Sequence, residues 1–338
     1  MANRIFYACH AVAIAKTGHS SADAAEFHVM KGVQSVGLNT TFTLEQLFEL
    51  GQVELYENSE DVAECEITIE KLIDGERLLY LQAVGNIGKT NLVSASKSRS
   101  DVYLGIFADT VSSISGATKT NVVMCSGMFV SSSSFNWSVD GPATESLSLV
   151  GNDKFWNAAT YGILHSNPNT LFGGAGGTSS DVMNGTDTPI SGIVRRQNFD
   201  LYGSTLPAEV TTQINDVPGS SGIQSVSVSI ELGREDQKEL GRFGPYTKNT
   251  TFPIEVTCEF EVIATQGDLV AISGRGRSLT NRTIVLKDTA GTIINLGTKN
   301  KLTGCNYQGG DTGGGNATVT YSYATYNDFL VNGGGAYY

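Results

Sequence analysis

The chain repeats itself, and that limits its fold more than any other feature. Val33-Gln34-Ser35-Val36 returns as Ile223-Gln224-Ser225-Val226, 223 − 33 = 190 residues later. At the same offset Glu49-Leu50-Gly51 returns as Glu239-Leu240-Gly241, and Tyr56 as Tyr246. Glu66-Ile67-Thr68 aligns with Glu255-Val256-Thr257 at 189, and Gly141, Ala143 and Thr144 align with Gly315, Ala317 and Thr318 at 174. Asn152-Asp153-Lys154-Phe155 is echoed by Asn327-Asp328-Phe329, and Cys125 lies near the place of Cys305. An ordered series of this kind means one supersecondary unit used twice. It divides the 338 residues into a first unit over 1–153, a Gly/Ser/Asn-rich insert over 154–192, a second unit over 193–330 and a flexible tail over 331–338.

Each unit reads as mainly β. Alternating or β-rich runs cover 33–42, 53–56, 64–72, 102–107, 122–130 and 146–150 in the first unit. In the second they cover 226–232, 254–264, 269–273, 283–287 and 317–324. One short helix per unit is expected to break the pattern. Thr43 with Gln46 three residues on resembles a capping box. Leu44, Leu47 and Phe48 then share a face, and Gly51 supplies the stop. The second unit repeats this over 234–240, ending at Gly241. The expected fold is two tandem β-sandwich or barrel units, each with a short helix. At the N-terminus, Arg4 and the apolar stretch 5–15 have the outline of a signal peptide. His10 interrupts that stretch and no leucine occurs in it, so it reads as a first strand.

The strand at 64–70 reads Glu64-Cys65-Glu66-Ile67-Thr68-Ile69-Glu70. Side chains alternate across a strand, so Glu64, Glu66, Thr68 and Glu70 share one face and Cys65, Ile67 and Ile69 the other. Its counterpart places Glu255, Thr257, Glu259 and Glu261 on one face over an apolar one. A solvated sheet face is the plain reading. Such faces ordinarily mix Lys with Glu, because like charges on one strand repel, and here neither copy interleaves a cation. The whole chain is acidic, 22 − 34 = −12. That disfavours a grip on phosphates, whose affinity comes from Lys and Arg. It suits a surface past which nucleic acid slides without sticking.

The segments Val33-Gln34-Ser35-Val36-Gly37 and Phe42-Thr43-Leu44-Glu45-Gln46-Leu47-Phe48-Glu49-Leu50-Gly51-Gln52-Val53-Glu54-Leu55-Tyr56-Glu57 resemble the opening of tail-tube proteins of long-tailed bacteriophages. The resemblance is clearest over 33–72 and 223–264. It implies a β-sandwich with a helix, whose inner sheet joins its neighbours into a continuous ring β-barrel around a lumen. Tube families with two fused copies form trimers of pseudo-sixfold symmetry, and those with one copy form hexamers. Rings stack into a tube that carries the genome and meets the tape measure, terminator and baseplate or tip proteins of the virion. The lumen position carries over to Glu64, Glu66, Glu70, Glu255, Glu259 and Glu261. The insert departs from the simplest pattern, as an exterior decoration or an aid to contacts between rings.

Other motifs carry less. Ala83-Val84-Gly85-Asn86-Ile87-Gly88-Lys89-Thr90 fits a loose phosphate-binding loop. Its first Gly is replaced by Ala83, and 91–98 shows no helical stripe. The five cysteines include no C-x-x-C and read as reduced, mostly buried thiols, with neither a disulfide framework nor a zinc ribbon. His10, His19, His28 and His165 have no metal-ligand spacing. Arg195-Arg196 and Arg275-Gly276-Arg277 read as surface ion-pair formers. No cofactor is expected, no constellation suggests an enzyme, and no apolar run approaches the ~18 residues of a membrane-spanning helix. The competing reading is a secreted or virion-surface tandem β-sandwich that binds carbohydrate or a receptor through Tyr321, Tyr323 and Tyr326.

Overall fold

A computed structural model describes residues 5, 7, 10–17, 27–85, 92–107, 119–156, 192–214, 222–273, 279–310, 312 and 315–333. The fold is mainly β, in several antiparallel sheets, and among the described residues none closes into a barrel. The first-unit strands are β1 (His10–Lys16), β2 (Phe27–Val29), β3 (Val33–Thr41), β4 (Leu44–Phe48), β5 (Leu55–Glu60), β6 (Glu64–Leu72), β7 (Ser100–Phe107), β8 (Lys119–Ser138), β9 (Thr144–Gly151) and β10 (Asp153–Trp156). Then come β11 (Ile223–Glu231), β12 (Arg234–Gln237), β13 (Thr247–Thr250), β14 (Glu255–Ile263), β15 (Val285–Lys287), β16 (Ile293–Asn295), β17 (Lys301–Gln308), β18 (Thr318–Tyr326) and β19 (Leu330–Asn332). The helices are α1 (Leu79–Ala83), α2 (Leu92–Ser96) and α3 (Ala208–Ile214). None is long and apolar enough to cross a membrane.

Strand β8 is the pivot. Its first half pairs with β7 and β10, and through β7 with β1 and β2. Its second half pairs with β9 on one side and β11 on the other. Gly127 sits between the halves at φ +63, where a side chain would be strained, and its N–H is fixed 2.9 Å from Asp101 Oδ1. The bend sends one strand into two sheets. The main sheet runs β3-β6-β9-β8-β11-β14-β18-β17.

The two four-strand runs within it match in detail. Both first strands carry a register shift, at Val33/Ser35 and at Ile223/Ser225. Both fourth strands carry one, at Val130/Ser132 and at Leu302/Gly304. Ile73 N–H donates to Ala143 O at 2.9 Å, and Ala264 N–H to Ala317 O at 2.8 Å. The registers also correct two sequence alignments. Ser35 faces Glu70 and Ser225 faces Glu261, so β6 and β14 match at 261 − 70 = 191 rather than 189. Glu66 thus shares a place with Thr257, and Thr68 with Glu259. A two-residue slip preserves alternation, so the pattern alone could not detect it. Cys305 falls at the place of Ser133, not near Cys125.

The apolar face of this sheet is the core. Ile67, Ile69, Leu147, Leu149, Val226, Val228, Phe260 and Tyr321 lie there under α1 and α3 and beneath β15, β16 and β19. One buried cross-strand pair is charged: Lys71 faces Glu145, where the second run has Val262 facing Val319. The Glu145 carboxylate accepts the Leu79 and Tyr80 N–H groups, each at 2.7 Å, and so anchors the start of α1. Burial pushes its pKa up to about 7, against the pull of those two N–H groups and of Lys71. Lys71 Nζ lies 2.5 Å from Asp74 Oδ1.

Several expectations change. The expected helices at 44–50 and 234–240 are strands, which form the hairpins β4–β5 and β12–β13. A helix of two turns has a costly nucleus, whereas a β-rich partner strand lies a few residues on. Gly51 and Gly241, at φ +98 and +85, serve in the hairpin connections instead of ending helices. Residues 269–273 are not a strand: Leu269 sits at φ +58 and Asp268 Oδ1 accepts the Val270 N–H at 3.1 Å. Leu330–Asn332 pairs with β16, and Val331 is buried, so the start of the expected tail belongs to the fold. Residues 154–156 belong to β10, and the rest of the insert up to 191 lies outside the described residues. So do Cys9, His19, His165 and Arg275-Gly276-Arg277.

Candidate functional site

The six glutamates stand on β6 and β14, whose burial alternates identically. Glu64, Glu255 and Glu259 are exposed and Glu66, Glu70 and Glu261 half-buried, while Cys65, Ile67, Ile69, Val256, Cys258 and Phe260 face the core. Directly opposed residues in an antiparallel ladder share a face. One row of such partners runs Ser35–Glu70–Ser146–Ser134–Ser229–Thr257. A second runs Ser138–Ser225–Glu261–Thr320–Asn306, and a third Asn136–Ser227–Glu259–Ser322–Gly304. The structure therefore brings both glutamate sets onto one side of one continuous sheet.

Between the carboxylates the face is mostly hydroxyl and amide, and the first row continues from Thr257 through Ala324 to the exposed Lys301. Ser35 Oγ donates to Glu70 Oε2 at 3.3 Å and Ser225 Oγ to Glu261 Oε2 at 3.2 Å. Ser148 Oγ donates to Glu66 Oε1 at 2.7 Å and Ser322 Oγ to Glu259 Oε1 at 2.9 Å. Each bond fixes a carboxylate on the sheet without neutralising it. Glu64 is the exception, with Lys248 Nζ 3.0 Å away and the same amine 2.7 Å from Asp236 Oδ1. Sequence reasoning missed both the serine rows and this lysine. The serines had a signal, the alternation Ser225-Val226-Ser227-Val228-Ser229. Lys248 had none, because it reaches Glu64 from a hairpin 184 residues away.

The other candidates do not assemble. Ala83 ends helix α1 rather than a strand, so the strand-turn-helix order of a phosphate loop is missing there, and residues 86–91 lie outside the described residues. Leu92–Ser96 is helical, contrary to the sequence reading, but spans little more than one turn. Tyr321 and Tyr323 are core residues: their hydroxyls donate to Asp268 O at 2.8 Å and Glu209 Oε2 at 3.1 Å. Only Tyr326 of that aromatic trio is exposed. Cys65, Cys125 and Cys258 are buried free thiols and Cys305 is half-buried, with Cys65 Sγ 3.6 Å from Cys125 Sγ.

No family model matches the chain, and no curated protein sequence does. Among solved structures it is similar to a chain of the anti-feeding prophage baseplate, determined by cryo-electron microscopy with 6-fold symmetrisation. The TM-score is 0.34 and the identity 13%, over 46% of this chain and 97% of that one.

Proposed function

We propose that this protein is a structural virion subunit: copies close edge to edge into rings, and rings stack into a phage tail tube around a hydroxyl- and carboxylate-lined lumen. The role is structural rather than catalytic. The two matched runs act as tandem tube units, so three copies supply six-unit symmetry. The glutamates face inward, where carboxylates outnumber the cation Lys301, repel phosphates and let DNA pass without being held. The tape measure, terminator and baseplate or tip proteins are the partners at the two ends of the tube.

One observation carries the reading. The β8–β11 pairing joins the last strand of the first run to the first strand of the second. Among the described residues β3 pairs only with β6 and β17 only with β18, so the same two kinds of edge stand open at the ends of the sheet. Open edges are an aggregation liability unless something pairs with them. The internal joint gives the register of the external one. Ile230 faces Ser133 within the chain, and their counterparts are Thr40 and Cys305. Thr40 of one copy then faces Cys305 of the next.

Electron microscopy of the purified protein, seeded with tail-initiator complex, should show rings or hollow tubes. In those assemblies Thr40→Cys should form an interchain disulfide with Cys305 on oxidation. Protein that stays monomeric when seeded ends the proposal.

A further inference from the structure

The second hairpin is clamped to the first unit of its own chain. Lys248, only 3% exposed, bridges Asp236 of the hairpin and Glu64 of β6. Lys238 Nζ lies 2.8 Å from Asp61 Oδ2. Arg234 Nε donates to Val130 O at 2.7 Å and Nη1 to Ser96 O at 2.7 Å, with the guanidinium 5.2 Å above the Phe129 ring. Arg99 Nη2 adds a bond to Tyr246 O at 3.0 Å.

Up to Leu47 the first hairpin has the same register at a constant offset; the register then shifts at Phe48, whose counterpart Lys238 follows the end of β12. Leu44 faces Glu60 and Gln46 faces Asn58, as Arg234 faces Thr250 and Asp236 faces Lys248, each 190 residues on. Its chemistry is different. Leu44 stands in place of Arg234, Phe48 in place of Lys238, and Asn58 in place of Lys248. All of β4 is exposed, Phe48 at 63%.

The seat changes in step. Where the first unit offers Asp61, the second offers Thr251-Phe252, one residue longer, with Phe252 exposed. Where it offers Val130, the second offers Leu302, half-buried. Where it offers Glu64, the second offers Glu255, exposed. A lysine opposite an aspartate is thus replaced by a phenylalanine opposite the segment Thr251-Phe252, in which Thr251 takes the place of Asp61, its N–H bonded to Gly233 O as Asp61 N–H is to Thr43 O, and the exposed Phe252 follows it.

We propose that β4–β5 is the arm by which one copy grips the second unit of the neighbouring copy, in the pose that β12–β13 takes on its own first unit. Phe48 packs on the neighbour's Phe252, Leu44 on its Leu302, and Asn58 donates to its Glu255. The occupant of the apolar hairpin is therefore a second copy of this chain. The inference rests on the ring reading and adds to it a lateral contact separate from the strand-to-strand joint.

The test uses full-length protein. Phe48→Lys, at an exposed position, should leave the monomer folded and lower the assembled fraction by about tenfold, as loss of an aromatic anchor does. Phe48→Lys with Thr251→Asp rebuilds the Lys238–Asp61 type of pair and should restore assembly. Phe48→Cys with Phe252→Cys should give an interchain disulfide, identified by mass spectrometry of the linked peptides. Full assembly of Phe48→Lys, or no such linked peptide in assembled material, overturns the inference. If the Thr40→Cys joint to Cys305 forms while the arm link does not, the ring stands and the arm falls. If wild-type protein forms neither rings nor tubes, the ring reading itself falls.

Discussion

Lys71 and Glu145 show how a repeat can be kept in geometry and changed in chemistry. Their counterparts Val262 and Val319 make the same cross-strand pair from two methyl-bearing side chains. In the first unit the pair holds Asp74 and the start of α1. Burying charges costs stability unless every partner stays in place. Lys71→Met leaves Asp74 and Glu145 without their cation. It should destabilise the protein by about 3–5 kcal/mol, read from the denaturation midpoint. The same change at Val262 introduces no orphaned charge and should cost far less. At this scale the sequence was partly legible. Alternation placed Glu64, Glu66 and Glu70 opposite Cys65, Ile67 and Ile69, as the structure does. It gave no hint that Lys71, in line with that apolar row, would be fully buried, because its partners come from beyond the strand.

Among the elements, the hairpins mark where sequence reasoning went astray. Thr43, Gln46 and Gly51 carry helix-boundary signals, yet the segment pairs with β5. Boundary residues describe what a segment could do alone, and the pairing partner decides. Both glycines were singled out correctly and assigned the wrong task. At φ +98, Gly51 resists any side chain. Gly51→Val should destabilise the hairpin by about 1–2 kcal/mol. The loss should appear as faster amide exchange over Leu44–Phe48 and not as a shift in global unfolding, because β4 contributes no residue to the core. The bend of β8 at Gly127 was likewise illegible, since a strand shared by two sheets reads as one long apolar and serine-rich run.

For the molecule as a whole, the duplication was the most legible feature and the register its least legible part. The matched segments lie on matching strands of the two runs, but the offset slips by two at β6 and β14, because alternation tolerates even shifts, and the Cys125–Cys305 match does not hold. The assembled surface inherits its electrostatics from the matched strands. If the sheet face lines a conduit, Glu66→Lys together with Glu259→Lys places cations where phosphates pass. Genome ejection should then slow or stall, most at low ionic strength. Unchanged ejection kinetics in correctly assembled particles would remove the electrostatic role of the face and leave the structural one.

In the proposed assembly the hairpins would hold their seats by unlike forces. In a ring built as proposed, lysine-to-carboxylate clasps alternate with greasy ones. Brine weakens the former and tightens the latter. The clasps at risk lie where peptide continuity already ties the halves together, and those between separate molecules are the ones that strong salt favours. Such a ring would grip its neighbours at least as firmly in seawater as in the cell that made it.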